Sequence, residues 1–509
     1  MHANTNSHPN KAHRTPALTV APVTRAIRAA LTISATLLAL GGSGAALAAG
    51  TCVFTTPTTV SCDGGFTDTL PGTAFTPVVD LTLVVGDTLP SSVTPAAGLM
   101  GIDAEWGGHV GVTSYADITT TGATGIFAYG SSSASVSNYG SITTDVTSPG
   151  AKAMDISAYG DVTVVNGGAV NAYSTGAYDV TAVSASSLFG KTEVTNQTAG
   201  TITATAQDGN AIAVDASAYH GAEITNIGVI TASSVNGIAI GGFDQSSEGQ
   251  AYFDNLGGIT VTSTNGQAIG ALVSGNVAYA NNRAYTAYGY TGSISVTSGA
   301  DAAIGMEAYG SHYAEAKNTG SITVTSDGGT ATGIIADVYK GSAHITNTGN
   351  ISVTALYYSS AVGVEAYSAF SGAANIKNSG SISATAVSGS ATGIIAQTHY
   401  GQVTVVNSGD VSATAGAGTY YQHNRAIGIV ASSGAGYSPG ITHVTNSGNI
   451  TGNGVNLGEG IAGSARYGDL WITNTATGTI TAYGQDEAIG IGTGQNGHNS
   501  FGRYIDAYT

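Results

Sequence analysis

Cleaving a polysaccharide on a repetitive scaffold takes two or three carboxylates on neighbouring turns of one face, or calcium-binding aspartates beside a basic residue. The acidic side chains of this 509-residue chain are not expected to fall that way: Asp327, Asp337, Glu365 and Asp410 occupy unrelated points of the copies that carry them. His109, His220, His312, His344, His399, His423, His443 and His498 likewise differ in phase. Neither Gly-x-Ser-x-Gly nor a phosphate-binding loop occurs in a strand-to-helix context, and the Gly-Gly-x-Gly-x-Asp calcium pattern is absent. The expectation is a non-enzymatic protein with no catalytic residues, no metal and no cofactor.

Three other features recur or pair. Cys52 and Cys62 are the only cysteines, and a close pair in an exported chain reads as a disulfide. An aromatic residue, usually followed by Gly, returns at Tyr129, Tyr159, Phe189, Tyr219, Tyr309, Tyr339, Tyr400 and Tyr467. Stacked copies would line these rings up at one corner, either to support the stack or to offer a platform to sugar rings or a partner surface. Finally, Asn-x-Gly-x-Ile/Val recurs at Asn138, Asn166, Asn226, Asn255, Asn318, Asn347, Asn378, Asn407 and Asn446, with looser forms at Asn196 and Asn474. The copy at Tyr290-Thr-Gly-Ser-Ile294 reads as lacking its Asn.

The elements that carry these residues follow from the alternation between them. In the copy from Asn318 to Asn347, Ile322 and Val324 alternate with Ser321, Thr323 and Thr325, and Ala314, Ala316 and Asn318 share one face. A Gly-Ile-x-Ala run recurs as Gly125-Ile-Phe-Ala128, Gly305-Met-Glu-Ala308, Gly363-Val-Glu-Ala366 and Gly428-Ile-Val-Ala431; Glu307 and Glu365 in the variable place imply that it faces solvent. Period-two alternation marks half-buried strands. Three short strands in each copy of about 30 residues predict an all-β, right-handed parallel β-helix of about 12–13 coils. By phase, the Asn column turns inward and is structural, its carboxamides bonding to one another and to turns. Long copies before Tyr290 and Asn446 should bulge as surface loops.

Residues 49–100 lack the repeat and read as an N-terminal cap holding Cys52 and Cys62, with residues 101–509 as the β-helix. Residues 1–48 read as a signal peptide: Arg25 and Arg28 precede an apolar run from Ala29 to Leu40, and Ala46-Leu47-Ala48 suits a cleavage site. No segment is long enough for a transmembrane helix. The first 48 residues hold four of the 13 basic side chains and no acid, leaving nine basic against 30 acidic ones. That surface repels phosphate backbones, so no nucleic-acid partner is expected.

The basic leader, the early Cys pair and repeats such as Asn347-Thr-Gly-Asn-Ile-Ser and Asn378-Ser-Gly-Ser-Ile-Ser, the latter followed by Ala391-Thr-Gly-Ile, resemble the passenger regions of type V autotransporters of Gram-negative bacteria. The resemblance covers about Gly101 to the end. It implies export, a place at the cell surface, the outer membrane or outside the cell, and adhesion or biofilm formation through contact with glycans or protein surfaces. A structural surface-layer or matrix protein is the alternative, and a polysaccharide-acting enzyme requires that distant carboxylates converge. The family's C-terminal membrane β-barrel has no counterpart up to Asp506-Ala-Tyr-Thr509, so the resemblance implies a truncated passenger, or one released or separately anchored. Its last coil would offer an edge for end-to-end self-association.

Overall fold

Strand Ser321–Ser326 buries Ile322 and Val324 and turns Ser321 and Thr323 outward. Ala331–Val338 and Ser342–Asn347 complete that coil. β-branched and small side chains suit such short pleated segments, and Gly, Ser and Asp turns separate them. Each strand pairs in parallel with its counterpart in the next coil: Ile322 with Ile351, Ile334 with Val364, Ile345 with Ile376. In the computed structural model this arrangement continues as a β-solenoid of about 14 turns. Its coils hold about 29 residues, close to the expected repeat length, with three strands each.

The structure describes residues 50–507 except 56–57, 69, 72–79, 88–89, 417–423, 435–438, 467 and 494–502. The expected signal peptide at 1–48, His423, Tyr467 and His498 lie outside the described residues. No helix among the described residues is long and apolar enough to cross a membrane.

First strands form a 15-stranded sheet of their own, whereas second and third strands belong to one 30-stranded sheet. In two coils the second and third run on as single strands, Ala268–Asn282 and Ala303–Asn318. One apolar core runs through the stack from Val60 to Ile472. The bend inside each second strand accounts for the Gly of Gly-Ile-x-Ala. A Cβ on Gly305 would run into the Gly333 carbonyl and the Ile322 side chain, and Gly333 stands in the same relation to Gly363 and Ile351. Here Gly is required by close approach rather than by its dihedral freedom.

The stack does not start at Gly101. Thr59–Asp63 pairs in parallel with Leu81–Val85, and that strand with His109–Ser114. Val60, Cys62, Leu81, Leu83 and Val85 join the common core. Thr51–Phe54 folds back antiparallel on Thr59–Asp63, setting Cys52 opposite Cys62, and the two form a disulfide. Ser114 stands where the next coil has Asn138, so the early coils escape the Asn signature.

Candidate functional site

The third strand ends on the asparagines, and these form one chain of hydrogen bonds. Nδ2 of each donates to Oδ1 of the Asn one coil on, from Asn138 through Asn166, Asn196, Asn226 and Asn255. The chain continues through Asn282, Asn318, Asn347, Asn378, Asn407 and Asn446 to Asn474. Nδ2 also donates to a carbonyl of the following turn, as Asn318 does to Gly320. The copy at Tyr290 therefore keeps its Asn. Asn282 fills the place, and residues 283–292 intervene before Ser293, carrying a short 3-10 turn at Thr286–Tyr288 with Tyr285 and Tyr288 exposed. From Asn166 on each rung accepts from the Asn before it and donates within the stack, and only at the head of the ladder is an oxygen left over, the buried Oδ1 of Asn138, so the column is structural.

The expected aromatic corner is not one row. Tyr129, Tyr159, Phe189 and Tyr219 are continuous, with ring centroids 6.5, 6.1 and 6.4 Å apart. A second group begins at Tyr339, which meets Phe370 at 4.7 Å, while Tyr400 packs on His399. Tyr309 joins neither group: it shares the second-strand column of Tyr129, six coils on, and pairs there with Asp337. Between these groups the corner carries polar residues such as Ser247 and Asn276. The phase changes by one or two residues, which is enough to move a ring from the turn to the strand.

A further aromatic run escaped the sequence reading. Tyr252, Tyr279, Tyr313 and His344 follow one another on the outside of the third strand at 6.0, 5.7 and 5.1 Å. Counting back three residues from each Asn would have found its column, which reads Glu223, Tyr252, Tyr279, Glu315, His344. The Tyr313 hydroxyl donates to Glu315, and burial with that carboxylate pushes the phenol up to about 12. Burial lowers the His344 pKa.

No family model, curated protein or solved structure matches the chain. Its chemistry is therefore read from these side chains alone.

Of the carboxylates that seemed scattered, Asp337 and Glu365 come together with Glu307, whereas Asp327 and Asp410 stand beside first strands, apart from them. Glu307, Ile335 and Glu365 share one outward column of the second strand, and Tyr309, Asp337 and Tyr367 share the next. The variable place is on the outer face as expected but is covered in part, Glu365 and Val430 being half-buried. Glu307 is 9% exposed, and Phe127 and Phe243 at the same place are covered too. Ile240, Phe243, Ile269 and Ile304 pack together on this outer face as an apolar cluster separate from the main core. Burial, then Asp337 and Glu365, push Glu307 up to about 7. In the same column Asp215 is pushed up to about 6, chiefly by burial, with Lys152 opposing the shift and Asp155 adding to it. Asp103 is pushed up to about 6 by burial and Glu105. Among the described residues no group of His, Cys, Asp or Glu is arranged to hold a metal ion. The outer face thus offers hydrogen-bond acceptors and rings set in apolar surroundings, a composition suited to binding.

Proposed function

We propose that this is a non-enzymatic, exported β-solenoid that contacts glycans on cells or surfaces, held at or released from a Gram-negative surface as autotransporter passengers are. The observation behind this reading is the row Tyr129, Tyr159, Phe189 and Tyr219. Tyr159 and Phe189 in the middle of it are 45% and 58% exposed, which exceeds what support of the stack requires. Tyr159 and Phe189 lie near-parallel, with Tyr129 and Tyr219 edge-on at either end, and such apolar bodies with polar tips suit the faces and rims of an extended saccharide.

A glycan array with the wild-type chain and a Tyr159→Ala/Phe189→Ala variant tests the reading. Binding of one or more glycans that falls about tenfold in the variant supports it, since each stacked ring contributes about 0.5–1.5 kcal/mol. Absence of binding by the wild type, or binding untouched by the variant, removes the recognition role. A change of association state in light scattering without glycan binding would turn the reading to the surface-layer alternative.

A further inference from the structure

The first strands carry the most uniform face of the molecule. Eight of them follow one another from Thr201–Ala206 to Val411–Ala415, paired in parallel and without a register shift. Two outward columns cross all eight, one from Thr203 to Ser412 and the other from Thr205 to Thr414. Every place in both columns holds Ser or Thr, two on each of eight strands and sixteen in all. Each of these side chains is exposed or half-buried, and none of their hydroxyls enters a side-chain hydrogen bond of the described residues. Strand propensity favours Thr on such a face but does not demand it. Over the same coils an outward column of the third strand reads Glu223, Tyr252, Tyr279, Glu315, His344 and Asn375. The chain carries 30 acidic side chains, yet none stands in the two hydroxyl columns. The array is therefore a property of this face and not of outward strand positions in general.

What such a face can hold is narrowed by what it lacks. The two columns offer no ring or guanidinium of the kind that anchors protein partners, no basic side chain for a phosphate and no apolar patch for a lipid. They do offer a two-dimensional period. Along each strand the outward hydroxyls recur at about 6.6 Å, two residues of about 3.3 Å each, and from coil to coil at about 4.8 Å, which makes the array about 34 Å long over seven steps. The β-branch of Thr restricts its χ1, which keeps hydroxyl and methyl of successive coils in step. A side-chain ladder such as that of the asparagines opposes the twist that would bend the columns. On a prism face of ice the oxygens repeat at nearly the same two distances, at right angles to one another. That water lattice is neutral, as the columns are, whereas a charged side chain would impose its own hydration on the water beside it.

We propose that the first-strand face between Thr203 and Thr414 binds ice. The unpaired hydroxyls join the outermost water layer as donors and acceptors, and the threonine methyls between them lie under the same layer. Because the side chains are held in one orientation by their branching and by the strand, little freedom is lost when the layer forms over them. Contacts that are weak singly act together over eight coils, so the rod holds to a crystal front and halts its advance there. This face belongs to the first strands, whereas the Tyr129–Tyr219 row lies at the ends of second strands and in the turns after them. It does not depend on that row.

The test is ice retention and thermal hysteresis of the full chain. A dye-labelled sample is offered to a growing ice hemisphere, and the melting and freezing temperatures of single crystals are read in a nanolitre osmometer. Expected is uptake of the chain into the ice, faceted crystals and a gap between the two temperatures. Thr260→Tyr/Thr323→Tyr raises two bulky side chains in one column and should lose both effects while keeping the wild-type circular dichroism and melting. Thr262→Lys/Thr297→Lys, at exposed places of the other column, should do the same by charge. Tyr159→Ala/Phe189→Ala should leave uptake and hysteresis unchanged, which separates this face from the ring row. Exclusion of the wild type from ice without hysteresis overturns the proposal, as does full activity in either folded threonine variant. Adsorption to crystalline cellulose but not to ice, lost in those variants, overturns ice as the occupant.

Discussion

Asn255 donates from Nδ2 to Oδ1 of Asn282 at 2.8 Å, and Asn282 donates to Asn318 at the same distance. The chain of carboxamides thus passes unbroken through the coil whose turn is lengthened by residues 283–292. Asn282→Ala would leave the Asn318 Oδ1 without its donor and deprive Asn255 of one acceptor, in a fully buried place. We expect a loss of about 2–4 kcal/mol. Hydrogen exchange should show it as faster opening of Gln250–Asn255 and of the Asn318 end of Ala303–Asn318, the strands on either side.

Arg283, the next residue, is ion-paired with Asp254, whose side chain is almost fully covered while that of Arg283 is partly open. Arg283→Ala strands a buried carboxylate, and because Arg283 is solvent-screened the cost should be about 1–2 kcal/mol, below that of a wholly buried pair. Proteolysis of the loop at Tyr285–Tyr288 should quicken in the variant. Asp254→Asn together with Arg283→Ala should recover most of the difference.

Gly242 faces the core, and a Cβ there would meet the ring of Phe253. One coil earlier the equivalent places hold Val214 and Ile224. Gly242→Val alone should destabilise by about 1–3 kcal/mol through overpacking, and Phe253→Ile alone by about 1–2 kcal/mol through the space it leaves. The double variant recreates the preceding coil and should fall within about 1 kcal/mol of wild type. Thermal melts of the four proteins measure this coupling, and additive losses would sink the explanation.

Asp244 lies in the lumen column between Ala216 and Val273 and is fully buried. Burial drives its pKa well above the usual carboxylate range; the Tyr252 amide pulls the other way, and Glu223 and Asp215 add to the rise. The folded state therefore holds a proton that the unfolded chain gives up as pH climbs past about 4. Stability from this site is greatest in acid and declines as pH rises from there towards the folded-state pKa. Asp244→Ala should raise the melting temperature at pH 7, by about 1–3 kcal/mol in stability, and make little difference at pH 3. Equal effects at both pH values would show that packing rather than ionisation governs the position.

The solenoid was legible because parallel, in-register stacking forces like residues onto like. Asn, Gly and Ile at constant phase thus record a column of the fold directly. Asn282 was missed because the signature required a Gly two residues on, and the intervening loop removes it. The early coils were missed for want of any Asn. The face of Glu307, Asp337 and Glu365 was hidden differently. Asp337 sits two residues from the phase of the glutamates, and a linear comparison counts that as unrelated, whereas on adjacent rungs such positions are diagonal neighbours. Burial of Glu307 could not be read at all, because alternation tells which side of a strand a residue is on but not whether other outward side chains close over it.

The asparagine ladder also has a drawback that the irregular coil 239–255 offsets. Its rungs are interchangeable, so a chain displaced by one whole coil during folding would satisfy the same carboxamides and nearly the same Ile and Val contacts. Such a slipped stack is a kinetic trap built from native-looking bonds. The hollow over Gly242 accepts the ring of Phe253, whereas the Val and Ile or Ala pairs of neighbouring coils would leave it empty or overfill it. That mismatch gives the stack an address from which the other coils can be counted.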